Sequence, residues 1–476
     1  MIGIWNHHQA EQLAYFGLHA LQHRGQDGAG IAVNDDGTFK HYRGTGLLSQ
    51  VFQDKSHLKK LKANHSVGKI HYTLNGKMND LENVGPLVFN FLDEDMAVAQ
   101  SGNLINGQSL RRELEEEGAV FSSHSDAEIL VHLIRRNKET TFERQLEASL
   151  KRLKGGFNFI ILTRDALYGI VDPNCFRPLS FGRIEETNTT VLASETCAID
   201  ALGATFTGNI HAGKYLVVTD DGMQMKEYEM NTQIALEAME YVYFARPDSE
   251  FAGINVHSAR KNLGKKLAVE QPCVQADMVI GVPNSSLSAA TGFAEQSGLP
   301  YEMGLVKNQY VGRTFIEPTK ELREQGVRKK ISAVRGVVEG KSIVLVDDSI
   351  VRGTTSKRLI HILKAAGARE VHLRITSPPI CFPNFYGVDM STTNELIAAN
   401  YTQAEMKEVF DCESLGFLSV AGLVEGIGTH FDAPHNGLSL SIFDGYYAAG
   451  LGENEAEFQA NLTPIQKQLL RESNHD

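Results

Sequence analysis

A chain of 476 residues with 42% hydrophobic content is too long for one ordinary core and has ample apolar material for two. Its net charge of −12, with no basic run, excludes nucleic acid and acidic membrane as partners, because both demand clustered Lys and Arg. Five cysteines, at 175, 197, 273, 381 and 412, are odd in number and lack a CxxC, so neither a disulfide framework nor a cysteine metal site is indicated, and a reducing cytoplasm fits. The start, MIGIWNHHQAEQ, has no charged leader or apolar stretch of signal length, and no later run approaches the ~20 apolar residues of a spanning helix.

In chain order, residues 1–230 carry short alternating segments, Ile31 to Val33, Ala97 to Val98, Phe157 to Leu162 and Tyr215 to Val218, separated by Gly, Asn and Asp turns. That pattern predicts a largely antiparallel α+β domain. From 231 to 451 strands and helices alternate, with Met278 to Gly281, Ile343 to Val346 and Val371 to Ile375 as candidate parallel strands. Residues 452–476 form a polar tail, expected as a terminal helix packed on the surface or frayed.

The most informative stretch is Ile343 to Ser356, IVLVDDSIVRGTTS. Four apolar residues suit a strand buried on both faces, and the spacing of Leu359, Ile360, Ile362 and Leu363 predicts a helix closed at Gly367. The loop between them then lies at the carboxyl end of a parallel strand, where unpaired N–H groups favour an anion. Gly353 allows close backbone approach, and Thr354, Thr355 and Ser356 add hydroxyl donors. Asp347 and Asp348 would repel a bare phosphate, so they are expected to hold Mg²⁺ or ribose hydroxyls. An acidic turn alone would be an ordinary solvated strand end; strand, acidic pair, hydroxyl loop and helix in this order point to a phosphorylated-sugar pocket.

The segment resembles the phosphoribosylpyrophosphate loop of type I phosphoribosyltransferases. Together with Leu21 to Ile31 (LQHRGQDGAGI), Ser194 to Cys197 (SETC), Arg246 to Ser249 (RPDS), Val256 to Gly264 (VHSARKNLG) and Tyr310 to Ile316 (YVGRTFI), it resembles the glutamine phosphoribosylpyrophosphate amidotransferases over almost the whole chain. The resemblance implies an α+β N-terminal-nucleophile-type sandwich followed by an α/β type I phosphoribosyltransferase domain with a parallel sheet. It implies Mg²⁺, a homo-oligomer, and formation of 5-phosphoribosylamine from phosphoribosylpyrophosphate in the first step of purine synthesis. On the same basis Ser285, Asp347 and Asp348 are the magnesium-associated positions, and Ser349, Ile350, Val351, Arg352, Gly353, Thr354 and Thr355 wrap the 5′-phosphate. Arg313, Arg323 and Arg328 fall in the family's flexible loop, whereas Asn284 and Gln309 stand where Asp and Arg are usual.

Glutamine hydrolysis in this family needs an N-terminal cysteine whose own α-amine serves as base. The family pattern places Cys-Gly immediately before Met1, and the first cysteine here is Cys175. A start assigned late and a true loss both account for this. The rest of the pocket points to loss: His71 replaces the arginine that clasps the glutamine carboxylate, and Gln100-Ser101 replaces His-Asn, whose amide serves the oxyanion hole. Losing one such donor typically costs ~100- to 1,000-fold in rate. Arg24 and Asp126 remain from the glutamine site. The nitrogen donor is therefore expected to be free ammonia or ammonia from an external glutaminase. The alternative is a regulatory paralogue that binds phosphoribosylpyrophosphate or nucleotides without turnover. Some relatives carry a structural iron–sulfur cluster; Glu237, Asn384 and Asn436 to Phe443 occupy the matching regions without a suitable thiol, so none is expected.

Overall fold

The computed structural model describes residues 1–73, 80–92, 95–308, 331–388, 390 and 392–473. Its first half is two antiparallel sheets stacked face to face. In chain order the strands are β1 (Ile2–Trp5), β2 (Gly28–Asp35), β3 (Thr38–Thr45), β4 (His65–His71), β5 (Leu87–Phe89), β6 (Met96–Leu104), β7 (Gly155–Leu162), β8 (Leu167–Val171), β9 (Ser180–Ile184), β10 (Thr189–Ala193), β11 (Thr205–Asn209), β12 (Lys214–Thr219) and β13 (Gly222–Glu227). One sheet has the order β11-β9-β10-β1-β4-β2-β3 and the other β13-β12-β8-β7-β6-β5.

The apolar inner faces of both sheets meet through Ala32, Val67, Ala97, Ala99, Ile160, Leu167 and Leu192. A helix over Ala10–Ala20 covers the outer face of the first sheet, packing Ala14 and Leu18 on Ile31 and Val191. The helix Asp126–Arg136 covers the second with Ile129, Leu130, Leu133 and Ile134. It begins where the Ser125 side chain accepts the Ala127 N–H and ends on Arg135 and Arg136, cations that suit the carboxyl end of a helix. The result is a helix–sheet–sheet–helix sandwich.

The second half is built on a parallel sheet with Met278–Gly281, Ser342–Asp347, Glu370–Ile375 and Ser414–Phe417 in that spatial order. The expected strand over Ile343 to Val346 is one residue longer at each end, and Met278 to Gly281 has the expected bounds. Alternation divides the central strand: Val344 and Val346 face a core with the helices Val256–Glu270 and Leu287–Ser297, while Ile343 and Leu345 face Leu359 and Leu363 of the helix Thr354–Ala365. Burial on both faces is the reason this strand reads as an unbroken apolar run.

The polar tail is packed. Helices run over Glu455–Ala460 and Pro464–Ser473, Gln466 is fully buried with its Nε2 donating to the Cys381 carbonyl at 2.7 Å, and Thr463 Oγ1 donates to the Ala399 carbonyl at 2.7 Å. Among the described residues no helix is long and apolar enough to cross a membrane.

Candidate functional site

The central parallel strand delivers Asp347 and Asp348 to the carboxyl edge of its sheet, where both are buried at 6% exposure. Ser286 Oγ sits 3.0 Å from Asp347 Oδ1 and 3.3 Å from Asp348 Oδ2, the Asp348 N–H donates to Asp347 Oδ1 at 3.0 Å, and Ser349 Oγ donates to Asp348 Oδ1 at 2.6 Å. The Ser285 hydroxyl also bonds Asp348. Burial, and for Asp347 the adjacent Asp348 charge, push both carboxyls above the usual range. Hydroxyl and amide donors, and the Arg260 charge acting on Asp348, oppose that repulsion without cancelling it. Paired hard oxygens of this kind suit Mg²⁺, which generally binds through one or two carboxylates plus phosphate oxygens.

Beyond the pair, Ile350 is buried and the Val351 carbonyl accepts the Ile397 N–H at 2.9 Å, which pins the loop. Arg352 turns outward to Glu395, 2.6 Å away on the surface. Thr354 and Thr355 are exposed and open the helix, whose first N–H groups have no intrahelical acceptor, whereas Ser356 is buried. Asn284 is exposed, and Gln309, Arg313, Arg323 and Arg328 lie outside the described residues.

Gly353 has φ +73°, and a Cβ there would stand 2.7 Å from Phe410 Cε1 and 2.9 Å from Ile397 Cδ1. The glycine is required by packing as well as by backbone conformation. Gly353→Ala is expected to cost about 1–3 kcal/mol, read as a lower urea midpoint at unchanged slope.

A second cavity, of about 610 Å³, lies in the N-terminal half and is lined by Met1, Arg24, Lys69, His71, Gln100, Ser101, Asp126 and Arg177 among others. Period-two alternation on β4 turns Lys69 and His71 to this side and Ile70 to the core. Burial, with the Lys69 charge beside it, lowers the His71 imidazole to about 3, and its buried Nδ1 has no hydrogen-bond partner. Gln100 Nε2 donates to the Gly102 carbonyl at 3.0 Å on its own strand, and Ser101 Oγ accepts from Arg177 Nη1 at 3.4 Å. Asp126, pushed up to about 6 by burial, accepts the Leu104 N–H through Oδ2 at 2.9 Å. The Met1 amine donates to Ser194 Oγ at 2.9 Å. Cys175 does not line the cavity, and burial pushes its thiol up.

Arg24 reaches this cavity but is committed elsewhere. Its Nε donates to Glu195 Oε1, and its two terminal nitrogens donate to Glu240, Nη1 at 3.2 Å to Oε1 and Nη2 at 2.5 Å to Oε2. A guanidinium so engaged between two buried carboxylates has little left for a ligand carboxylate. Glu237 and Asn384 also meet, the Asn384 amide donating to Glu237 Oε2 at 3.1 Å, and Leu236–Glu237 pairs in parallel with Leu438–Ser439.

Several residues here carry no signal in the sequence. Ser286, Thr376, whose hydroxyl reaches the Asp347 carbonyl at 3.4 Å, and buried Arg260, whose charge acts on Asp348, come from separate elements. Arg177 likewise enters the N-terminal cavity from a loop. Lys69 was legible in principle, because it alternates with His71 along one strand.

Residues 79–201 match the glutamine amidotransferase domain family and residues 269–376 the phosphoribosyl transferase domain family. The chain is 56% identical to the amidophosphoribosyltransferase of Staphylococcus aureus (strain COL) over 476 residues, covering 100% of this chain and 96% of the relative. It is 49% identical to that of Bacillus subtilis (strain 168), covering 94% and 93%. Its structure is similar to glutamine phosphoribosylpyrophosphate amidotransferase from B. subtilis complexed with ADP and GMP, with TM-score 0.90, 48% identity and 95% and 98% coverage. With the acidic pair and loop at the edge of a parallel sheet, and identity of this degree along its whole length, the chain belongs to the amidophosphoribosyltransferase family.

Proposed function

We propose that the chain forms 5-phosphoribosylamine from phosphoribosylpyrophosphate and ammonia, with its C-terminal half as the active site. The observation that carries this reading is the buried Asp347–Asp348 pair opening into a loop and a helix N-terminus. In the reaction the ammonia lone pair forms the C1–N bond on the sugar, the C1–O bond to pyrophosphate breaks with its electrons leaving on oxygen, and one proton passes from nitrogen to solvent. The N–H groups and hydroxyls of Thr354 and Thr355 hold the 5′-phosphate and so fix C1, while Ser285 and Ser286 hold the acidic pair in place. Mg²⁺, held by Asp347 and Asp348, would neutralise charge on the departing pyrophosphate.

Ammonia as donor is supported by the N-terminal cavity. A neutral His71 cannot clasp a carboxylate as a guanidinium does, Gln100 is turned back onto its strand, and the Ser101 hydroxyl, which accepts from Arg177, is not the amide donor that the family's asparagine supplies. Glu237, Asn384 and Ser439 offer no soft ligand, which supports the absence of an iron–sulfur cluster.

Purified chain supplied with phosphoribosylpyrophosphate and Mg²⁺ is expected to release pyrophosphate with ammonium and not with glutamine. Release with glutamine overturns the reading of the N-terminal cavity. Release with neither, while phosphoribosylpyrophosphate still binds, identifies a regulatory protein.

A further inference from the structure

From Ser349 to Thr355 the loop carries one cation, Arg352. Its Nη2 donates to Glu395 Oε2 at 2.6 Å, and the two side chains are 56% and 49% exposed. The segment that carries Glu395 is itself anchored in the fold. A turn over Thr393–Glu395 leads through Leu396 into the short helix Ile397–Asn400, and Leu396 and Ala399 are fully buried. Asn400 Nδ2 donates to the Leu396 carbonyl at 2.8 Å and to the Thr393 carbonyl at 3.1 Å, and the Ala399 carbonyl accepts from Thr463 Oγ1 at 2.7 Å. From this platform the Ile397 N–H holds the Val351 carbonyl at 2.9 Å, and the Ile397 side chain packs where a Cβ on Gly353 would stand 2.9 Å from its Cδ1. The ion pair adds Arg352, the residue between them.

We propose that Glu395 is a positioning residue for the reaction: it holds Arg352 outward, so that this arginine anchors the 5′-phosphate loop and is not a ligand of the phosphate. The inference rests on the reading that Ser349 to Thr355 take the 5′-phosphate. A loop already held in its binding geometry loses less freedom when the ligand arrives, so affinity depends on a carboxylate that never touches the phosphate. The sign of the effect separates this role from the ordinary one. A carboxylate that merely stood near an anion site would repel the ligand, and its removal would tighten binding, whereas removal of an anchor weakens it.

Calorimetric titration of the full chain with ribose 5-phosphate, which carries the 5′-phosphate without pyrophosphate, reads the loop without turnover. Glu395→Gln and Arg352→Gln are each expected to weaken binding about two- to fivefold, the range an exposed ion pair supplies. The double variant should be no weaker than the poorer single, because both remove one interaction, and Arg352→Lys should stay near the parent. The KM for phosphoribosylpyrophosphate should rise by the same factor with kcat within about twofold, while affinity for pyrophosphate alone is unchanged, a split that general loss of structure does not give. Thermal unfolding of the variants should match the parent, since both side chains lie on the surface. Glu395→Gln binding ribose 5-phosphate as tightly as the parent or more tightly overturns the proposal, and so does a double variant whose loss is the product of the single losses. A parent chain that does not bind ribose 5-phosphate refutes instead the reading of the loop on which the proposal stands, so the two failures are told apart.

Discussion

Replacing Asp347 by Asn is expected to make the metal-free protein more stable while lowering pyrophosphate release by about 100-fold or more, the loss expected when an electrostatic contribution of several kcal/mol is removed. The carboxyl group is buried against Asp348, and both are raised above their ordinary range. The sign follows from linkage. A carboxyl whose folded-state pKa exceeds its unfolded value binds its proton more tightly when folded. Its favourable contribution is present at low pH and is lost as the pH rises from about 4 through the folded value. At pH 7 ionisation of the pair therefore opposes folding until a cation arrives, and the amide removes one titrating group while its Oδ1 still accepts from Ser286 and the Asp348 N–H. Thermal unfolding without divalent cation should show a higher midpoint for Asp347→Asn at pH 7, the difference shrinking toward pH 4. Added Mg²⁺ should raise the midpoint of the parent and not of the variant. A variant less stable than the parent at pH 7 would show that the site is not electrostatically frustrated.

Arg24→Ala is expected to cost about 3–5 kcal/mol, the usual consequence of leaving buried carboxylates without their cation. Glu195 and Glu240 have side-chain exposures of 0% and 2%, and Arg24 joins them across the two halves of the molecule. The Arg24 guanidinium, with His23, the Arg246 N–H and Ser249 beside it, holds the Glu195 carboxyl well below the usual carboxylate range. A depressed carboxyl contributes stability above its unfolded pKa near 4.3 and loses it as the pH falls toward its folded value. Chemical denaturation at pH 7 should therefore show a large loss for Arg24→Ala, and the gap to the parent should narrow on acidification. Arg24→Lys should recover only part of the loss, because a point charge cannot serve two carboxylates through a planar fork. A loss below about 1 kcal/mol at pH 7 would mean that water enters and solvates the glutamates.

The contrast between these two sites is physical. Around Arg24 charges of opposite sign were brought together and desolvated, one guanidinium against two carboxylates. At Asp347 like charges were brought together and desolvated, with dipoles and the Arg260 charge acting on Asp348 too weak to bring either carboxyl back to its ordinary range. Ground-state strain of the second kind marks a place where something else binds.

The sequence by itself determined the local course of the chain. Four apolar residues with polar flanks make Ser342–Asp347 a strand covered on both faces, and the repeat of Leu359, Ile360 and Leu363 makes the following helix. The acidic pair, the glycine and the hydroxyl cluster were legible because all lie within ten residues of one another, so their order alone implies a pocket. The tertiary structure decided what local order cannot encode. Ser286 reaches Asp347 across 61 residues of chain, and Arg24 reaches Glu240 across 216. It also turned the tail from a polar stretch into a packed helix, because the buried Gln466 side chain meets a carbonyl that only folding places there. Periodicity reports which face of an element is apolar, whereas the partner of a buried charge depends on how distant elements pack, and that information is spread over the whole chain.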